Sequence, residues 1–204
     1  MGIAHVVPSN RRMIVELPPA IRPATAVKGS LLQSSLAAVE RLGMTEAYFR
    51  HLGPEHAAAI RQVAVGQWHP MELALAHYGA IEKLGLAPQQ SKQNGRLVAE
   101  KVQVGFARIV FRGIGTAVTP LDALRRTPAF FERLIEGGAV SVEQRGPKDA
   151  HVEIVQIPIG RYEYVREAWA GMFEATLGLL THRTMVRNVS ARGGDQVSLD
   201  IAWV

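Results

Sequence analysis

The sequence predicts an α+β fold: an N-terminal helical portion packed with a four-stranded antiparallel sheet that one long helix crosses. Three observations carry this. Up to about residue 136, apolar residues recur three and four apart, the mark of amphipathic helices. From Ala139 the spacing drops to two, the mark of strands with one buried face. A last helical stretch, 161–180, precedes two β-rich runs flanking Arg192-Gly193-Gly194-Asp195, whose glycines suit the tight turn of a closing hairpin.

Residues 1–27 read as an N-terminal arm, and residues 28–204 as a single α+β ligand-binding-like domain. Pro8, Pro18, Pro19 and Pro23 interrupt the arm and leave 12–17 as its one short strand. Such an arm is either disordered or added to a sheet edge. From Gly29 a helix follows, with Leu32, Leu36 and Val39 on one face, Ser30 as N-cap and Gly43 as stop. A short helix over 45–52 ends at Gly53-Pro54, which starts another running to about 65. Gly66-Gln67-Trp68-His69-Pro70 is a turn into a helix carrying Met71, Leu75 and Tyr78, which ends at Gly85. The next helix, 89–112, carries Val98, Val102, Phe106 and Ile109 on one stripe. Gly113-Ile114-Gly115 breaks it, and short helices follow over 120–126 and 128–136. Gly146-Pro147-Lys148-Asp149 then turns the first hairpin, between Val140, Val142 and the alternating run 151–157.

The chain of 204 residues can bury one sizeable core. It contains no cysteine, which excludes disulfides, thiolate metal sites and cysteine nucleophiles. No apolar run approaches the ~18–20 residues that span a bilayer, and 1–8 lacks the features of a signal peptide. A cytoplasmic location is expected. The formal net charge of +5 concentrates in 1–28, with Arg11 and Arg12, and in 91–126, with Arg108 and Arg112. On a helix Lys101, Arg108 and Arg112 share one face while Lys92 and Arg96 point nearly the other way. Charge split in this way, without interleaved aromatics, reads as solvated surface rather than a nucleic-acid track.

Catalytic motifs are missing. There is no G-x-S-x-G elbow, no H-E-x-x-H, no P-loop, and Gly113-x-Gly115 lacks the rest of a dinucleotide fingerprint. No two of the seven histidines lie three or four apart; the His69/Glu72 pair suits a turn at a helix start better than a metal or acid–base site. Glu132, Glu136 and Glu143 have the setting of surface charges. The aromatic residues fall mostly on apolar stripes, where core packing is the ordinary reading. As the lining of an apolar pocket between helices and sheet, Trp68, Tyr78, Phe106, Tyr162, Trp169 and Phe173 are the candidates. Tyr162 and Trp169, on the helix over the sheet, lead them.

Lys28-Gly29-Ser30-Leu31-Leu32, Gly66-Gln67-Trp68-His69-Pro70, Arg126-Thr127-Pro128-Ala129 and the Arg/Gly/Asp turn before a strand closing on Trp203 occur together and in this order. With them the chain resembles a paralogous family of myxobacterial proteins of unknown function over 28–204, and more remotely the 4-vinyl-reductase-type domain. The resemblance implies helices on an antiparallel sheet, often as a dimer. It places the chain near small-molecule sensors attached to regulators, tetrapyrrole-linked proteins and vesicle-tethering subunits with an acyl pocket. Related domains commonly carry two cysteines near the last turn, where Val189 or Ser190 and Ser198 stand here. The haem-binding relatives use an axial histidine and a Tyr-x-Ser-x-Arg motif, and that motif does not occur.

The expectation is therefore a non-enzymatic sensory or regulatory module, a homodimer binding a small apolar molecule or a partner protein, with no cofactor and no metal. The alternatives are a structural interaction subunit, a nucleic-acid-binding regulator using the basic surface, and an enzyme acting on a tetrapyrrole or aromatic substrate.

Overall fold

The structure, a computed structural model, describes residues 11–111, 118–191 and 193–204, and for 100–111 the backbone alone. The architecture is α+β. Strand β1 (Arg12–Val15) and strand β2 (Ala26–Lys28) lead into helices α1 (Gly29–Arg41), α2 (Thr45–Leu52) and α3 (Pro54–Arg61). Strand β3 (Trp68–Pro70) precedes α4 (Met71–Glu82) and the long α5 (Pro88–Phe111). Two short helices, α6 (Pro120–Arg125) and α7 (Thr127–Phe131), precede β4 (Ile135–Glu136) and the hairpin β5 (Ala139–Gly146) and β6 (Asp149–Val155). A 3-10 turn over Pro158–Arg161 leads into α8 (Glu163–Leu177), and β7 (Thr184–Asn188) and β8 (Gln196–Trp203) close the chain.

The expected four-stranded sheet is five-stranded, in the order β1-β5-β6-β8-β7, with every neighbouring pair antiparallel. The fifth strand is the run at Arg12, which takes the edge beside β5. A second sheet, β3-β2-β4, was not expected. Its strands are two or three residues long, too short for a period of two to show. They lie where the sequence suggests a turn, the end of an arm and a helix tail. Ala24, Ala26 and Val27, at that end of the arm, are buried, and the Ala24 N–H donates to Gln156 O at 2.8 Å.

Alternation decides which sheet face is buried. Ala150, Val152 and Ile154 of β6 align with Val197, Leu199 and Ile201 of β8, all buried, while Asp149, His151 and Glu153 face the other way. α8 lies against this apolar face through Val165, Trp169 and Leu177, all within the main core. It starts at Glu163 rather than 161 because Pro158 opens a 3-10 turn before it. Its first amides are capped from outside: the Glu82 carboxylate accepts from the N–H of Glu163 (3.0 Å) and of Tyr164 (2.9 Å), which offsets unpaired donors and the helix dipole.

α5 and α8 meet without a side-chain cushion. A Cβ on Gly95 would sit 1.9 Å from the carbonyl oxygen of Ala168, and one on Gly171 1.9 Å from that of Lys92. Only glycine permits this approach. Beside it, Glu174 forms ion pairs with Lys92 and Arg96, and the Lys92 ammonium donates to Val186 O on β7 at 2.6 Å. Among the described residues no helix is long and apolar enough to cross a membrane.

Candidate functional site

α8 presents Trp169, Met172, Phe173, Thr176 and Leu177 on the side that faces α6 and α7, because these positions repeat at three and four residues. Across from them stand Ala123, Leu124, Thr127 and Phe130. A Thr119–Asp122 capping box with Pro120 at the first turn fixes the start of α6 and hence the position of Ala123 and Leu124. Together these residues line an apolar crevice. Trp169 lies 6.2 Å from the Phe131 ring and 6.3 Å from the Phe173 ring, centroid to centroid, a packed aromatic row along one wall. The hydroxyl-bearing side chains in the lining are Thr127 and Thr176. The crevice is narrow, with about 20 Å³ of free interior, about the room one water needs.

A far larger concavity lies elsewhere among the described residues. It is a groove of about 670 Å³ between α1 and α2–α3, with Leu36, Phe49 and Ile60 on its floor and Glu40 and Arg61 at its rim. Volume favours this groove, but it lies open to solvent and has a polar rim. Ligand pockets are mostly apolar with few polar groups, so the aromatic crevice is the better candidate.

Of the five candidate pocket residues whose side chains are described, the structure brings two together, Trp169 and Phe173. Trp68 is 41% exposed on β3, with the Lys28 ammonium 4.2 Å from its ring centroid. Tyr78 is buried among α-helices, its ring 6.2 Å from that of Tyr164. Tyr162 is half-buried and donates its hydroxyl to Leu75 O at 3.1 Å. The Phe106 side chain lies outside the described residues, as do those of Arg108 and Arg112. Arg11 is exposed and Arg12 opens β1. Within the basic segment 91–126, Lys92 and Arg96 pair with Glu174, and Arg125 with Asp122, so much of its charge is neutralised on the spot.

Sequence reasoning missed Phe130 and Leu124 as lining because their short helices give no periodic signal. It also missed a buried polar chain. His77, wholly buried, accepts from the Tyr48 hydroxyl through Nδ1 at 2.5 Å, and its Nε2–H donates to Ser35 Oγ at 2.6 Å. Ser35 in turn donates to Leu31 O at 2.8 Å, and in this tautomer each hydroxyl of the chain donates once. Burial holds the imidazole far below its ordinary range, at about 3, and pushes Tyr78 up to about 12. His77 stands on the apolar stripe of α4, where nothing in the sequence marks it as hydrogen-bonded.

No family model and no curated protein sequence matches the chain. Solved structures do match, across most of the molecule. An unliganded Fe(II) H-NOX protein variant from K. algicida aligns with a TM-score of 0.63 at 10% identity, covering 87% of this chain and 96% of that one. A structure probing haem distortion in the H-NOX family gives 0.59 at 12%, covering 86% and 94%. An oxygen-binding H-NOX domain related to soluble guanylate cyclases, in its oxygen complex, gives 0.57 at 12%, again 86% and 94%.

These likenesses correct the expectation that no cofactor is involved, because the structural neighbours include haem proteins. The donor set of the crevice does not, however, make a histidine-ligated haem site from the described residues. His77 has both nitrogens committed, His151 is bound to Asp200, His69 to Ala64 O, His56 stands beside Glu55, and His51 and His182 are exposed. None lines the crevice. No three His, Asp or Glu side chains among the described residues are placed to hold a metal ion. The chain has the fold of the H-NOX domains it resembles.

Proposed function

We propose that this chain is a cytoplasmic sensory domain that holds a flat, largely apolar ring compound, of the tetrapyrrole class, in the crevice between α8 and α6–α7. The observation that carries the reading is the lining: a row of aromatic side chains, Met172 and aliphatic groups, with two hydroxyls to orient a ligand. The fold supports it, since structural neighbours are described as haem and oxygen-binding domains. Recognition here rests on stacking and apolar burial rather than on a histidine–iron bond. The ligand opens the crevice by displacing α6 and α7, which at six and five residues are the least self-supporting helices of the fold. Binding then shifts a population between closed and open forms, and a regulator reads the difference. On this reading the chain also belongs with the myxobacterial paralogous family and the 4-vinyl-reductase-type domains that its motifs resemble.

The small free volume favours a second reading, an interaction subunit whose crevice is filled by its own side chains. Titration with protoporphyrin IX and with haemin, followed by absorption, separates the two. Saturable one-to-one binding of both with Kd at or below ~10 μM supports the ring-binding domain. Unsaturable spectra identical to those of the free porphyrins leave the interaction subunit.

A further inference from the structure

The outer face of the five-stranded sheet, opposite the core, carries one row of ionisable residues across four strands. Glu143 on β5 is directly opposite His151 on β6, His151 opposite Asp200 on β8, and Asp200 opposite Arg187 on β7. Arg145 ties the row together, donating to Glu143 at 2.8 Å and to Asp200 at 2.9 Å, and His151 Nδ1 donates to Asp200 at 2.8 Å. The Arg145 hydrogen bond holds the Glu143 carboxyl below its usual range. Burial alone would raise Asp200, but the His151 hydrogen bond and the charges of Arg145 and Arg187 hold it low. Both carboxylates are therefore ionised at neutral pH.

The order across the sheet is acid, base, acid, base. A two-fold axis lying in the plane of an interface and parallel to the strands, between β6 and β8, reverses that order on a facing copy. Glu143 then meets the second copy's Arg187, and His151 meets its Asp200, each twice over. An axis parallel to the row would instead set Glu143 against Glu143 and Asp200 against Asp200. Both axes keep the strands of the two sheets aligned, as in face-to-face packing, and of the two only the first makes the row self-complementary.

We infer that this sheet face is where a second copy of the chain docks, through the Glu143–His151–Asp200–Arg187 row. One row out from it, exposed Ala202 meets exposed Asp149 of the other copy, a pairing without hindrance. Four strands about 4.8 Å apart and the seven residues of β6 at about 3.4 Å each give on the order of 400 Å² of sheet area per copy. That is about half the ~800 Å² per partner of a standard interface, so the dimer is weak, and its specificity comes from charge rather than area.

Sedimentation velocity of the whole chain at ~100–500 μM tests the inference. At ~50 mM salt the wild type sediments as a dimer in exchange with monomer, and ~500 mM salt shifts it to monomer. Glu143→Arg and Arg187→Glu each put like charges across the interface, and each alone is monomeric at low salt. An equimolar mixture of the two restores opposite charges at both contacts and forms a heterodimer. Ala202→Glu sets an acid against Asp149 of the facing copy while replacing no member of the Glu143–His151–Asp200–Arg187 row, and it weakens the dimer even if the other variants fold poorly. A wild type that stays monomeric at low salt, or a mixture no more associated than its components, or an Ala202→Glu protein that dimerises as the wild type does, overturns the inference.

Discussion

Acid lability centred on His77 follows from the buried polar chain of α1, α2 and α4. Burial lowers the imidazole from its ordinary value near 6.5 to about 3 in the folded protein. The folded value lies below the unfolded one, so as pH falls the unfolded chain takes up the proton first. Stability from neutral His77 is complete above about pH 6.5 and is lost progressively as pH falls toward 3. At ~1.4 kcal/mol per pKa unit, the loss between pH 7 and pH 5 is about 2 kcal/mol, a large part of the 5–15 kcal/mol that holds typical domains together. Urea unfolding at pH 7, 6 and 5 measures it. His77→Gln is the control, since an amide can donate to Ser35 and accept from Tyr48 but does not titrate. It lowers stability at pH 7 by about 1–3 kcal/mol, yet loses about 2 kcal/mol less than wild type on going to pH 5. Equal pH losses in the two proteins would show that the proton is taken up elsewhere than at His77.

Three further outcomes follow from the packing. Gly171→Ala drives a Cβ into the carbonyl of Lys92 and costs at least about 1–3 kcal/mol in chemical denaturation; a neutral result would show that α5 and α8 are not in backbone contact. Trp169→Ala removes a nearly buried indole from the crevice wall and costs about 3–5 kcal/mol in the same assay, with porphyrin binding lost at temperatures where the variant remains folded. Deleting residues 1–26 removes β1 and the first of the three residues of β2 together with buried Ala24, so circular dichroism shows no cooperative melting transition; a domain melting like the full chain would show these contacts to be dispensable.

The parts of the fold that were legible in the sequence are those whose period runs for several turns or residues. The alternation of β6 and β8 and the stripe of α8 define the sheet and the helix upon it before any coordinates. The three-stranded sheet was not legible, because Trp68–Pro70 and Ile135–Glu136 are too short to carry a period and acquire their strand geometry only by pairing with Ala26–Lys28. The site divides in the same way. Trp169 and Phe173 could be taken from the α8 stripe, but their partners come from α6 and α7, whose placement depends on a capping box and tertiary packing. Trp68 had the right chemistry and the wrong surroundings: an exposed strand where Lys28 lies over it. His77 was invisible because Ser35 and Tyr48 reach it from helices 42 and 29 residues away along the chain.

Quenching of Trp169 fluorescence reports whether a flat ring enters the crevice between α8 and α6–α7. In a Trp68→Phe, Trp203→Phe protein, Trp169 is the sole remaining tryptophan, and titration with protoporphyrin IX reports whether the ring reaches the crevice. Saturable quenching of most of the emission is expected at one porphyrin per chain, abolished by Ala123→Phe, which fills the opposite wall. Emission that falls only in proportion to added porphyrin, and equally in the filled variant, would contradict it.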